Sequence, residues 1–338
     1  MTAPRPIALW LLAMSALVFC MVVIGGITRL TESGLSMVEW RALMDTLPPL
    51  TEEAWARAFA LYRETPEFRL KNFWMGLQDF KTIYLWEWVH RLWGRLLGLA
   101  FVLPLLWFVI RRQVPPGLLW RLLLLLALGG LQGAIGWWMV RSGLVDRPDV
   151  SQYRLAVHLL MAFVLHGLLL WTALDLLRGR AAFAGGAAHL ALFILVVVGS
   201  GALVAGLDAG RIYNEYPLMG GGLLPPDYGH LSPWWVNAFE NAAAVQFHHR
   251  WLAVLAVAGC LAFGLGRGHG GLAAMAVVQM GLGVATLLAG VPVWLGALHQ
   301  AGAFLLFTLA LVAAHTESLR KGGLYAGRGT FDPDPEGR

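Results

Sequence analysis

Charge is scarce in this chain. Only 13% of its 338 residues are Asp, Glu, Lys or Arg, while 58% are hydrophobic. A soluble globular domain carries about 25% charged residues, so the shortage excludes an ordinary water-soluble fold. Cysteine is rarer still. The two present, Cys20 and Cys260, both fall in apolar runs and neither lies in a polar loop where an oxidising compartment would pair them. A disulfide framework is thereby excluded, and both read as packing residues. No Ala-x-Ala site follows the first apolar run, which is too long for a typical signal-peptide core, so it reads as an uncleaved span.

What the chain has in abundance is long apolar runs. Eight are long enough to cross a hydrocarbon core of ~30 Å at 1.5 Å per residue: about 7–27, 83–110, 118–140, 155–177, 189–207, 242–265, 272–290 and 293–315. The net charge is +5. Arg111, Arg112, Arg178, Arg180, Arg267, Arg320 and Lys321 fall on one side, with Arg5 at the N-terminus. The positive-inside rule then places both termini in the cytoplasm, with Arg141, Arg147 and Arg154 as a minority outside. Anchoring at the inner lipid surface accounts for the positive balance, and no nucleic-acid partner is called for.

The runs repeat with a period of four. After the first span comes "GGITRLTESGLSMVEWRALMDTLPPL" and after the fifth "GSGALVAGLDAGRIYNEYPLMGGGLLPPDY"; each is a polar outer loop that opens on glycine and closes near a Pro-Pro pair. "EWVHRLWGRLLG" in the second span matches "QFHHRWLAVLA" in the sixth. "LGGLQGAIGWW" matches "AVVQMGLGVATLL", and "YRLAVHLLMAF" matches "WLGALHQAGAF". The expected fold class is an all-α polytopic membrane protein, its eight transmembrane helices forming two pseudo-symmetric four-helix bundles. Residues 1–180 form the first half and 181–318 the second, followed by a disordered cytoplasmic tail at 319–338.

Each half offers two histidines near the outer ends of its even-numbered spans: His90 and His158, then His249 and His299. Paired imidazoles at matched depth on different helices suit axial coordination of a haem iron from both faces. Interhelical hydrogen bonding is the plain alternative for any one of them, but four paired by repeat and by depth favour coordination. His248 adjoins His249 and points about 100° away from it, and the match of His90-Arg91 with His249-Arg250 selects His249. His166 lies deeper and reads as a packing or hydrogen-bonding residue. His189 and His315 read as interface residues near cytoplasmic ends, while His230 and His269 fall in loops. Arg91 and Arg250 suit pairing with porphyrin carboxylates; snorkelling to the outer surface is their other reading.

Glu87 stands three residues before His90, on one helix face with it. Gln246 holds the matching place in the second half. An acid beside one pair of histidines and an amide beside the other suggests chemistry in the first half and electron supply or support in the second. An ion pair of Glu87 with Arg91 or Arg95 is the structural alternative. Between spans, Thr51 precedes "EEAWARAFALY", where Trp55, Ala58, Phe59 and Tyr62 make one apolar stripe behind two acids. This predicts a capped amphipathic helix on the outer surface or against the bundle.

"TRLTESGLSMVEW", "TLPPLTEEAWARAFALYRETPEF", "MGLQDFKTIYLWEWVHR", "NEYPLMGGGLLPP" and "QFHHR", in order over about residues 22–315, resemble the haem A synthase family in its proteobacterial and mitochondrial form. The resemblance implies oxidation of the C8 methyl group of haem O to a formyl group, giving haem A for terminal oxidases. It implies His90 and His158 as ligands of the substrate haem O, His249 and His299 as ligands of a haem b cofactor, and Glu87 as the catalytic acid of Glu-x-x-His. The cysteine pair that some family members carry in the first outer loop is absent here, which excludes a thiol step there. Ala42 and Asp45 stand where proline and glycine are expected, as a loop variation.

Converting a methyl to a formyl group removes four electrons and adds one oxygen. With both first-half histidines on iron, no position is open for dioxygen. Either one histidine leaves, or the porphyrin is oxidised and water supplies the oxygen, with Glu87 stabilising the developing cation or taking the proton of the attacking water. Two rivals stay open at this level: a non-enzymatic dihaem b-type electron carrier, and a transporter built on the same repeat. Membrane lipid, an electron donor of unspecified identity, haem O synthase and a second copy of the chain are the partners the sequence admits.

Overall fold

A computed structural model describes residues 5–38, 47–144 and 148–326, with side chains to residue 321. Ala42, Asp45 and Arg147, and most of the tail expected to be disordered, lie outside the described residues. Among the described residues the regular elements are helical. The long ones are α1 (Arg5–Leu30), α3 (Leu77–Ile110), α4 (Leu118–Arg141), α5 (Gln152–Arg178), α6 (Gly186–Gly206), α8 (Ala242–Arg267), α9 (Gly270–Leu288) and α10 (Val293–Ala326). The outer segments add α2 (Glu52–Arg63) and the single turn α7 (Asn237–Glu240). The eight long helices are each long and apolar enough to cross a membrane, as expected of backbone that must satisfy every N–H and C=O internally in lipid.

The helices close into two rings of neighbours. In the first, α1 touches α3, α3 touches α4, α4 touches α5, and α5 returns to α1. In the second, α6, α8, α9 and α10 close in the same order. The rings join where α1 and α5 meet α10 and α6, around a buried apolar core that includes Phe163, Phe304 and Phe307. Glu32 after α1 and Asp208 after α6 both adopt left-handed backbone. Ion pairs cross from one outer loop to the other, Arg29 to Asp208 at 3.2 Å and Arg211 to Glu32 at 3.7 Å.

Two helices exceed the apolar runs that predict them. α3 begins at Leu77 rather than 83 because the Asp79 carboxylate accepts from the Gly76 N–H at 3.0 Å and Phe80 and Tyr84 are buried under the outer cap. α10 continues to Ala326 through a polar stretch in which Arg320 pairs with Glu317 at 2.9 Å. The amphipathic helix forms as α2, with Thr51 Oγ1 accepting from the Ala54 N–H. Its Trp55, Ala58, Phe59 and Tyr62 pack on Phe80, Ile83 and Tyr84 of α3, so it caps the first ring.

One minor expectation changes. His315, expected at an interface, is fully buried. Its Nε2 lies 3.2 Å from Asp175 Oδ1, while Arg121 holds Asp175 Oδ2 at 2.9 Å, because a buried carboxylate needs cationic and hydrogen-bonding partners. His269 does lie in the connection between α8 and α9, as its N-cap residue, with Nε2 3.1 Å from Glu317. His166 is a hydrogen-bonding residue: Nδ1 meets Ser15 Oγ at 2.8 Å and Nε2 meets Thr308 Oγ1 at 2.9 Å, joining α1, α5 and α10. Cys260 is buried within α8, Cys20 half-buried in α1, and both are free thiols.

Candidate functional site: four histidines on four glycines

His90, His158, His249 and His299 lie on α3, α5, α8 and α10, all half-buried. Each ring rests against a glycine of the preceding long helix. A Cβ at Gly25 would come 2.9 Å from His90 Cε1. One at Gly136 would come 3.0 Å from His158 Cε1, one at Gly201 3.0 Å from His249 Cε1, and one at Gly283 2.8 Å from His299 Cε1. Real Cβ atoms essentially never come under 3.0 Å and seldom come as close as 3.0 Å, so at these four positions an added side chain would press on the ring. In each case the ring meets the glycine through Cε1, with Nδ1 within 3.5 Å of that position.

In the second ring the two imidazoles lie close together. The His249 and His299 rings have centroids 6.4 Å apart and planes 88° apart. An iron held between two imidazole nitrogens at about 2 Å each puts the ring centroids roughly 6 Å apart, so this pair fits a bis-histidine haem. The tautomer fits as well. Ser200 Oγ donates to the Val197 carbonyl at 2.7 Å and lies 2.9 Å from His249 Nδ1. Its hydrogen being engaged, it accepts from Nδ1–H, which leaves the Nε2 lone pair for a metal. Gln279 on α9 donates to the His299 carbonyl at 2.9 Å and lies 3.1 Å from its Nδ1. Gln132 on α4 does the same for His158, at 3.0 and 3.3 Å. Among the described residues no group of three or more His, Cys, Asp or Glu gathers to hold a metal ion.

Glu87 is buried, and both its oxygens are occupied. Oε1 pairs with Arg91 at 2.5 Å. Oε2 accepts from Ser36 Oγ and from the Met37 N–H, each at 2.7 Å. The Arg91 guanidinium also donates to the Met37 carbonyl at 3.0 Å. The second ring repeats this clamp. Gln246 Nε2 donates to the carbonyls of Ala209 and Ile212 at 2.5 and 2.7 Å, and its Oε1 accepts from Arg250 at 2.7 Å. Arg250 donates in turn to the Tyr213, Glu215 and Leu218 carbonyls. The ion pair with Arg91 that the sequence offered as an alternative is therefore formed, and both arginines tie the outer loop to the histidine helix. His248, beside His249, turns to Tyr228 Oη at 2.8 Å.

The sequence pointed to the histidines, Glu87 and the two arginines; it did not single out Gly25, Gly136, Gly201, Gly283, Gln132, Gln279, Ser200 or Ser36. Part of that signal was present as the spacing Gln-x-x-x-Gly, at 132–136 and again at 279–283.

The family model COX15-CtaA, described as cytochrome oxidase assembly protein, matches residues 8–311. The haem A synthase of Parvibaculum lavamentivorans is 48% identical over 91% of this chain and 93% of its own length. That of Rhodospirillum centenum is 49% identical over 93% and 88%, and that of Nitrosospira multiformis 46% identical over 92% and 93%. With eight membrane-crossing helices, a repeated histidine-on-glycine site and these matches across nearly its whole length, the chain belongs to the COX15-CtaA cytochrome oxidase assembly family.

Proposed function

We propose that this chain is a haem A synthase, an inner-membrane oxidoreductase that converts the C8 methyl group of haem O to a formyl group. The observation that carries the two-haem reading is the repeated cradle: four rings on four glycines, with the His249–His299 spacing of 6.4 Å matching an iron between them. In this reading His90 and His158 hold the substrate haem O in residues 1–180, and His249 and His299 hold a haem b in residues 181–318. The iron of such a group supplies one-electron redox chemistry. The protein holds the rings through glycine contacts, fixes the His249 tautomer through Ser200, packs the two glutamine amides against the His158 and His299 rings, and closes the outer side through the Glu87 and Gln246 clamps. Both termini lie in the cytoplasm.

Glu87 contributes charge to the first site. Both carboxylate oxygens are already engaged, Oε1 by the Arg91 guanidinium and Oε2 by the Ser36 hydroxyl and the Met37 N–H, which leaves little room for a water to reach them. Of the two roles open to it, electrostatic stabilisation of positive charge developing on the substrate fits its surroundings better than proton abstraction. The four histidines alone would equally serve a dihaem electron carrier. The acid found on one side only favours chemistry, and pigment analysis separates the two.

The test compares Glu87→Gln with Ser36→Ala. Ser36→Ala removes one clamp donor and leaves the charge, so formyl-bearing haem continues to form. Glu87→Gln keeps haem bound and abolishes the formyl product. Normal product from Glu87→Gln at normal haem content refutes the catalytic role, and absence of formyl haem from cells expressing the unaltered chain with haem O supplied refutes the enzyme reading.

A further inference from the structure

The four cradles differ in what meets the ring nitrogen on the glycine side. Ser200 stands immediately before Gly201 and bonds His249 Nδ1 at 2.9 Å. Gln279 stands four residues before Gly283 and lies 3.1 Å from His299 Nδ1, and Gln132 stands four before Gly136 and lies 3.3 Å from His158 Nδ1. In both it is the amide Nε2 that faces the ring, while the buried Oε1 has no partner among the described residues, so a flip of the amide turns an acceptor toward Nδ1–H. Donor and acceptor are thus present on one amide beside each ring. At the matching places before Gly25 the chain has Met21 and Ile24. Neither carries a hydrogen-bonding group that can replace a hydroxyl or an amide, and His90 Nδ1 is buried with no partner among the described residues.

A histidine that binds metal through one nitrogen is normally anchored at the other. That second bond fixes the ring's orientation and raises its basicity as a ligand. Without it the ring is a weaker donor and turns more freely. We infer that His90 is the labile ligand of the first site: it releases the substrate iron while His158 keeps hold, whereas the second site, anchored on both faces, stays six-coordinate. The inference rests on the haem-binding reading above and deepens it. Ile24 becomes a positioning residue acting through His90. The difference also meets the chemical requirement that the substrate side have an open position if oxygen is to approach the iron, while a haem that only passes electrons needs none.

Carbon monoxide binding to the reduced, haem-loaded full-length protein tests this, because the gas binds ferrous haem only where an axial ligand leaves. The unaltered chain is expected to bind it at one haem per chain and to leave the other low-spin. Ile24→Ser supplies the hydroxyl that Ser200 gives to His249; it should reduce carbon monoxide binding severalfold and raise the low-spin fraction in the resting electron paramagnetic resonance spectrum. Ile24→Val should change neither. Ser200→Ala should act in the opposite sense, letting the second haem bind the gas. Equal resistance of both haems in the unaltered chain, or Ile24→Ser leaving binding unchanged in a chain with full haem content, overturns the lability of His90 and leaves the two-haem reading standing. Failure of the unaltered chain to hold two haems, read as pyridine haemochrome per chain, overturns that reading and the inference with it.

Discussion

Glu87 and Gln246 occupy the same place in the two halves, and the polarity of each follows that of the loop it grips. Glu87 accepts from Ser36 and the Met37 N–H; Gln246 donates to the Ala209 and Ile212 carbonyls. Arg91 and Arg250, each one turn on, donate to these side chains and to the equivalent carbonyls of Met37 and Tyr213. The acid-for-amide exchange matches the polarity of each loop, and the catalytic use proposed for the Glu87 charge is built onto that match.

Exchanging the polarity in the second half alone is expected to fail. Gln246→Glu faces a carboxylate toward two carbonyls and removes two hydrogen bonds, at about 1–3 kcal/mol for each acceptor left unmatched. Thermal unfolding of the haem-loaded protein should fall by several degrees, with the second-half haem signal lost first. An unchanged melting temperature contradicts the clamp.

The glycine cradles are expected to be intolerant one by one. Gly201→Ala or Gly283→Ala brings a Cβ to 3.0 or 2.8 Å from a ring carbon, an overpacking that costs about 1–3 kcal/mol and displaces the imidazole. The low-spin signal of the second site should broaden or vanish while that of the first persists. Gly25→Ala and Gly136→Ala should give the converse, read by absorbance and haem content.

Glu67 gives the outer cap a pH dependence. It is buried and accepts from Tyr62 Oη at 2.9 Å. Burial pushes its pKa up to about 8 from an ordinary 4.5, helped by the negative charges of Glu87 and Glu32 and opposed by the Tyr62 bond and Lys71. Because the folded value exceeds the unfolded one, its stabilising contribution is whole below about 4.5 and is lost as pH rises to about 8. Limited proteolysis within residues 48–76 should accelerate across that window, and Glu67→Gln should flatten the profile.

The inner-end cluster is expected to be structural. Asp175→Leu strips the acceptors from His315, Arg121 and the Ala181 N–H, costing about 1–3 kcal/mol for the buried His315 and less for the two that water can reach. Folded yield and melting temperature should drop, while formyl haem formed per folded chain stays constant. A loss of product at full yield would give this cluster a part in the reaction.

Local pattern alone carried the spans, the four-span period and the choice of His249 over His248, because apolar run length and repeat register belong to neighbouring residues. The histidine pairs and Glu87 were legible for the same reason: ionisable groups stand out inside an apolar run. Tertiary structure decided what each of these residues touches. Ser36 reaches Glu87 across fifty-one positions and Gln132 reaches His158 across twenty-six. Glycine against an imidazole edge leaves no mark in composition, since its meaning lies in the ring a distant helix brings to it. Hydrogen-bond polarity is fixed only when two segments meet, and so the reason for Glu87 in one half and Gln246 in the other became visible only in the packed molecule.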